Sequence, residues 1–265
     1  MRRECIGNPF VGASLLTRLI RNGGGTSLAS SYPVRIGDKL RSLGIKTEGF
    51  NLGIAGNGAL RNQIILRKVL EYQPSVVVLH VNNSNEFEDE RDLKRAEEFS
   101  SWHPKNWLMK SLALRRLREM KTEKIFWKWI PAKVRNQDAR SDADDELLAG
   151  QNPQTRQRWA ERVRKYTAES VALARARAVP VLLLTQVRLE RDASGRASLD
   201  DHGLDDLARS LVGPGVYHLS MKKILESEDF ALMFADGSHV RPSGHDRIAT
   251  AVVEKVRQEG LVAAP

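Results

Sequence analysis

Two short aliphatic runs constrain the fold of this chain more than any other feature. Val76-Val77-Val78-Leu79 follows the turn pair Gln73-Pro74, and the segment from Val179 to Thr185 contains Val181-Leu182-Leu183-Leu184 after Pro180. Neither run alternates apolar with polar residues, so each reads as a strand covered on both faces, as strands of parallel sheets are. Helical periodicity fills the intervals: Arg35 to Leu43 before Gly44, Arg61 to Tyr72, Arg156 to Ala178, and Asp246 to Glu259 before Gly260. Strands alternating with helices predict an α/β fold with three α/β/α layers and a parallel, flavodoxin-like doubly wound sheet.

A chain of 265 residues with 41% hydrophobic and 28% charged residues can bury a full core. The length suits one domain over 1–265 that carries an insertion. That insertion is expected at about 88–153, where the pattern becomes helical, basic and tryptophan-bearing, with Trp102, Trp107, Trp127 and Trp129. It reads as a lid-like element. Between Lys105 and Arg135 the chain has Arg115, Arg116, Arg118, Lys121, Lys124, Lys128 and Lys133 against Glu119 and Glu123, and the segment from Asp138 to Glu146 then turns acidic. The simplest reading of Leu112, Leu114, Leu117, Ile125, Trp127 and Ile130 is an amphipathic surface packed on the domain, its cations solvated. The functional alternative is a cationic, aromatic wall for an anionic or carbohydrate substrate, or for an anionic membrane surface.

Several classes are disfavoured. No apolar run approaches the roughly 20 residues of a membrane span, and the N-terminal residues lack the apolar stretch of a signal peptide. The single cysteine, Cys5, permits neither an internal disulfide nor a cysteine-rich metal site. The default expectation is a cytoplasmic protein; a secreted or membrane-anchored one follows if sequence precedes residue 1. A net charge of +9 favours anionic partners in general, but no nucleic-acid motif accompanies it and no nucleic-acid partner is expected. His80, His202, His218 and His245 show no ligand spacing such as H-x-x-x-H, so no metal is expected. There is no internal repeat and no low-complexity tract.

The strongest chemical signal is Phe234-Ala235-Asp236-Gly237-Ser238-His239-Val240-Arg241-Pro242-Ser243-Gly244-His245, which leads into an apolar-periodic helix. Asp236, three residues before His239 on a loop, can hold one imidazole nitrogen as a donor while the other faces a hydroxyl as general base. A lone D-x-x-H is more often a turn beside a surface histidine, but two other segments accompany this one. Asn51-Leu52-Gly53-Ile54-Ala55-Gly56-Asn57-Gly58 is a glycine-rich turn before a helix, able to present backbone N–H groups to negative charge. His80-Val81-Asn82-Asn83-Ser84-Asn85-Glu86-Phe87 is a polar cluster at the end of a buried strand, where open α/β sheets bind their ligands.

Taken in this order, the three segments resemble the SGNH hydrolase superfamily, the GDSL-like lipases, acylhydrolases and esterases, over nearly the whole chain outside the insertion. The resemblance implies hydrolysis of carboxylic esters, acyl or O-acetyl, by Ser-His-Asp chemistry without a cofactor. It implies Gly56 as a backbone oxyanion donor and Asn85 as the side-chain donor, with Asn83 in place of the usual glycine, and Asp236 and His239 as the catalytic pair. The implied partner is a small-molecule or glycan ester.

The first block departs from the family pattern. A G-D-S or G-N-S stretch should follow the first strand, and with that strand at Cys5-Ile6 the matching residues are Ile6-Gly7-Asn8-Pro9-Phe10-Val11-Gly12-Ala13, which puts Pro9 where the serine is expected. Proline supplies neither a hydroxyl nor an N–H, yet is accommodated at the first position of a helix. Ser14 lies five residues on, roughly 7 Å away if the intervening residues are helical, too far to replace it. Thr26 and Ser27 beside Gly23-Gly24-Gly25 read as part of a loop. Two readings follow: an ester hydrolase by descent, inactive as it stands if Pro9 occupies the nucleophile's place, and a non-catalytic protein of the same fold that binds a glycan or an acylated ligand.

Overall fold

The computed structural model describes residues 9–13, 30–52, 57–83, 86, 87, 89, 90, 93, 152–192 and 194–262. The chain divides into two compact units, one of residues 1–85 with 162–265 and one of residues 86–161. The sheet and the candidate site belong to the first. In the second, Phe87 and Trp159 meet edge to face at 6.5 Å, and Trp159 Nε1 donates to Glu90 Oε2 at 2.7 Å. The tryptophans of the expected lid, Trp102, Trp107, Trp127 and Trp129, lie outside the described residues.

The main sheet is parallel, with strands β1 (Pro9–Ala13), β2 (Glu48–Asn51), β3 (Val76–Val81), β4 (Val181–Thr185) and, last in the chain, β7 (Val216–Ser220). Their spatial order is β2-β1-β3-β4-β7, the flavodoxin-like arrangement. A two-stranded antiparallel hairpin, β5 (Arg188–Arg191) and β6 (Ala197–Asp200), intervenes between β4 and β7.

Every residue of β3 and of β4 is buried, as their unbroken aliphatic runs require. Successive side chains point to opposite faces, and two cores result. Val76, Val78, Leu182 and Leu184 pack with α1 (Tyr32–Ser42) and α7 (Pro242–Gln258). Val77, Leu79, Val81, Val181 and Leu183 pack with α2 (Ala59–Val69), α3 (Pro153–Arg175) and α4 (Leu204–Leu211). Three layers follow directly from period-two alternation in two strands. At the C-terminal ends of β4 and β7, the Asp205 carboxylate on α4 accepts from Thr185 Oγ1 and, at 2.6 Å, from Ser220 Oγ, which ties the helix to the strand ends. Between β7 and α7 come two short helices, α5 (Met221–Leu225) and α6 (Phe230–Met233).

The first strand among the described residues is Pro9–Ala13, so Pro9 does not open a helix; Cys5 and Ile6, where that strand is expected from the sequence, lie outside the described residues. Pro9 is the first residue of β1, opposite Glu48, and the strand runs on through Gly12, opposite Asn51 and Val78, to Ala13, opposite Leu79. Proline is tolerated at the first residue of a strand, and Phe10-Val11 supply the β-forming sequence that the charged Arg2-Arg3-Glu4 does not. The helical spacing used to set Ser14 aside therefore does not apply. All four helices of the sequence pattern are present but begin earlier than periodicity suggests, and α1, α3 and α7 each take a proline in their first turn.

One feature of the first core is polar. His80 on β3 and His245 on α7 are 3% and 1% exposed, and flank Tyr32 at ring-centroid distances of 6.3 Å and 5.9 Å. No nitrogen of either imidazole has a hydrogen-bond partner among the described residues. Burial, reinforced by His245, pushes His80 down to about 3; burial, reinforced by Arg35, pushes His245 down to about 4. Both are thus neutral in the native state at pH values where the unfolded chain, with its ordinary value of 6.5, takes up protons. The unfolded state binds more protons below pH 6.5, so stability is full above that value and falls as the pH drops, by up to about 1.4 kcal/mol per pH unit for each histidine. Calorimetric Tm should decline from pH 6.5 to pH 5, and the decline should flatten in a His80→Leu/His245→Leu double variant. An equally steep decline in that variant would assign the acid sensitivity to other groups.

Candidate active site

The segment between α6 and α7 folds back on itself. Phe234 and Val240 form an antiparallel bridge, Ala235 N–H donates to the His239 carbonyl at 2.7 Å, and Arg241 N–H donates to the Met233 carbonyl at 2.7 Å. At the tip, Asp236 Oδ1 accepts from the N–H groups of Ser238 and His239, each at 2.8 Å, the turn chemistry for which a short carboxylate side chain is suited. The other carboxylate oxygen, Oδ2, lies 2.6 Å from His239 Nδ1. The pairing assigns the proton to Nδ1 and leaves Nε2, which has no partner among the described residues, as the basic nitrogen.

Burial raises the affinity of Asp236 for a proton, but the N–H bonds from Ser238 and His239 and the imidazole itself outweigh it and hold the carboxyl below its ordinary range. Asp236 therefore stays ionised at neutral pH, the state in which its carboxylate can accept the Nδ1–H hydrogen bond and orient the ring of a general base.

The loop is also placed relative to the sheet. Leu189 N–H of β5 donates to the Gly237 carbonyl at 2.8 Å, and β5 begins three residues after β4 ends at Thr185. Asp236 and His239 thus stand at the C-terminal edge of the parallel sheet. At that same edge β1 ends at Ala13, β2 ends at Asn51 ahead of the glycine block, and β3 ends at Val81 ahead of Asn82 and Asn83. Gly56 and Asn85 lie outside the described residues. Gly58, beyond the glycine block, caps α2, and Asn57 and Asn82 are buried at 5% and 6% exposure. Pro9 stands at the other end of its strand, about 13 Å of extended chain from Ala13.

No family model matches the sequence, and no curated protein matches it. Among solved structures, TesA aligns with a TM-score of 0.53 over 95% of this chain and 98% of its own, at 13% identity. An acetyl xylan esterase, AlAXEase, aligns at 0.52 over 94% and 99%, at 15% identity, and a lipase/acylhydrolase from Enterococcus faecalis at 0.51 over 97% and 98%, at 12% identity. The chain has the SGNH hydrolase fold. Within this fold, the glycine block and the asparagine cluster follow the strands that end at Asn51 and Val81, and their residues 53–56, 84 and 85 lie outside the described residues.

Two polar groupings of this SGNH-fold chain had no sequence signature. His202 is 3.2 Å from Glu190 and 3.4 Å from Asp200, and the three could offer ligand atoms within 4.8 Å of one another. Hairpin pairing, not helical spacing, brings them together. His218 lies 3.2 Å from Asp205 and 3.1 Å from Thr185 in the network that anchors α4. Among the described residues, no helix is long and apolar enough to cross a membrane.

Gly244, in the first turn of α7, lets that helix sit against the loop. A Cβ there would come within 2.4 Å of Val240 Cγ1 and 2.9 Å of the Met233 carbonyl oxygen. Gly244→Ala should lower the urea-unfolding free energy by about 1–3 kcal/mol, the usual cost of overpacking; a variant as stable as the parent would show that α7 does not seat the loop through this contact.

Proposed function

We propose that this protein is a serine hydrolase of carboxylic esters, acyl or O-acetyl, in which Ser14 is the nucleophile, His239 the general base and Asp236 its orienting carboxylate. The observation that carries the reading is the Asp236–His239 pair, 2.6 Å apart with Nε2 free of protein partners among the described residues, at the edge where β1 ends. Ser14 is the residue that follows Ala13 in the chain. With β1 ending at Ala13, Gly12-Ala13-Ser14-Leu15 matches the G-D-S-L pattern at every position except Ala13, and no proline stands in the nucleophile's place. The names of the structural neighbours, an acetyl xylan esterase and a lipase/acylhydrolase, support an ester substrate.

In this scheme Ser14 Oγ attacks the ester carbonyl carbon as its proton passes to His239 Nε2. The carbonyl oxygen becomes an oxyanion, held by the Gly56 N–H and the Asn85 side-chain amide. As the tetrahedral intermediate collapses, the C–O bond to the alcohol breaks and His239 returns its proton to the departing oxygen. Water then attacks the acyl-serine by the same route and frees the acid. Asp236 stays ionised throughout and stabilises the imidazolium in both halves.

Hydrolysis of p-nitrophenyl acetate tests the assignment. The parent should turn over, and Ser14→Ala and His239→Ala should each lose about a thousandfold or more in kcat, while Pro9→Ser changes little. Full activity in Ser14→Ala, or activity gained by Pro9→Ser alone, would remove Ser14 from the role.

A further inference from the structure

The helix that follows the site begins against local preference. Arg241 is the N-cap of α7, where side chains that accept hydrogen bonds from backbone N–H groups are favoured and where the helix dipole disfavours a cation. Arginine can only donate, and its side chain makes no cap bond. A residue that breaks a local rule at a functional site marks a constraint from elsewhere.

The constraint is visible in its bonds. Arg241 Nε donates to the Phe234 carbonyl at 2.7 Å, and its backbone N–H donates to the adjacent Met233 carbonyl at 2.7 Å. Met233 and Phe234 form the incoming limb of the loop that carries Asp236; Arg241, two residues after His239, belongs to the outgoing limb. One residue thus ties both limbs together at the base. Its carbonyl in turn accepts the His245 N–H at 2.9 Å, so the same residue joins the loop to the first turn of α7.

We infer that Arg241 is a positioning residue: its guanidinium bond to the Phe234 carbonyl fixes the base of the loop and so the geometry in which His239 meets Asp236. The inference rests on the ester-hydrolase reading for its catalytic consequence, but not for its structural one. The Asp236 carboxylate is held by the Ser238 and His239 N–H groups, and any slackening of the base reaches it through those two bonds.

Two variants separate geometry from charge. Arg241→Met removes both. Arg241→Lys retains the charge but places a methylene where Nε stands, so the bond to Phe234 is lost. In each, the titration midpoint of Asp236, followed by carbon NMR of the folded protein without substrate, should rise toward the ordinary 3.8. In each, kcat for p-nitrophenyl acetate should fall roughly ten- to hundredfold with KM unchanged. Should Arg241→Met fail to fold, Arg241→Lys carries the test alone. The inference is overturned if Arg241→Lys restores both the midpoint and kcat, which would leave charge as the cause, or if Tm falls while the midpoint stays put, which would make Arg241 merely structural. Absence of His239-dependent turnover in the parent would sink the hydrolase reading alone, since the Asp236 midpoint still decides the positioning role.

Discussion

The parallel alignment of β1, β3 and β4 is the constraint on which the rest of this structure depends. β3 pairs with β1 on one side and β4 on the other, and both of its faces are covered. Strands so enclosed are aliphatic for most of their length, here with only His80 in β3 and Thr185 in β4 departing, and being parallel they all end at the same edge. Polar residues following them are therefore gathered at one place without any contact between them along the sequence. Asn51, Val81 and Thr185 close their strands there, and each is followed by loop. The site is a consequence of topology before it is a consequence of side chains.

The chemistry depends on a second, local constraint. Seven residues from Phe234 to Val240 form a closed loop in which the Asp236 carboxylate serves two purposes: one oxygen shapes the turn by accepting two backbone N–H groups, and the other faces the imidazole. Geometry and electrostatics coincide there, because the bonds that shape the turn also keep the carboxylate ionised. The loop is braced from three directions, by Leu189 at Gly237, by Arg241 at Phe234 and Met233, and by α7 through the small Gly244.

Legibility in the sequence followed burial. β3 and β4 announce themselves because both faces are buried; β2, whose Phe50 is 46% exposed, and β7, whose middle residues are half-buried, carry no aliphatic run and are recognised only in three dimensions. The Asp236-to-His239 spacing was readable because the pair is local, three residues apart. Where the first strand lies, at residues 5 and 6 or at 9 to 13, is not legible, because the charged start of the chain gives no periodicity by which to choose, and the residue expected to follow that strand moves with it. Arg241 was invisible for a related reason, since its role lies in a bond across a loop whose closure the sequence does not state. The Glu190, Asp200 and His202 cluster depends on hairpin register in the same way.

The central claim is the proposal that Ser14, the residue that follows β1 in the chain, is the nucleophile that His239 activates. Labelling with a fluorophosphonate, followed by peptide mass spectrometry, tests this most directly, because such reagents form a stable adduct on a serine activated by a neighbouring base. The account predicts one adduct, on Ser14, lost in His239→Ala. An adduct on another serine such as Ser238, or labelling of Ser14 that does not depend on His239, would contradict it.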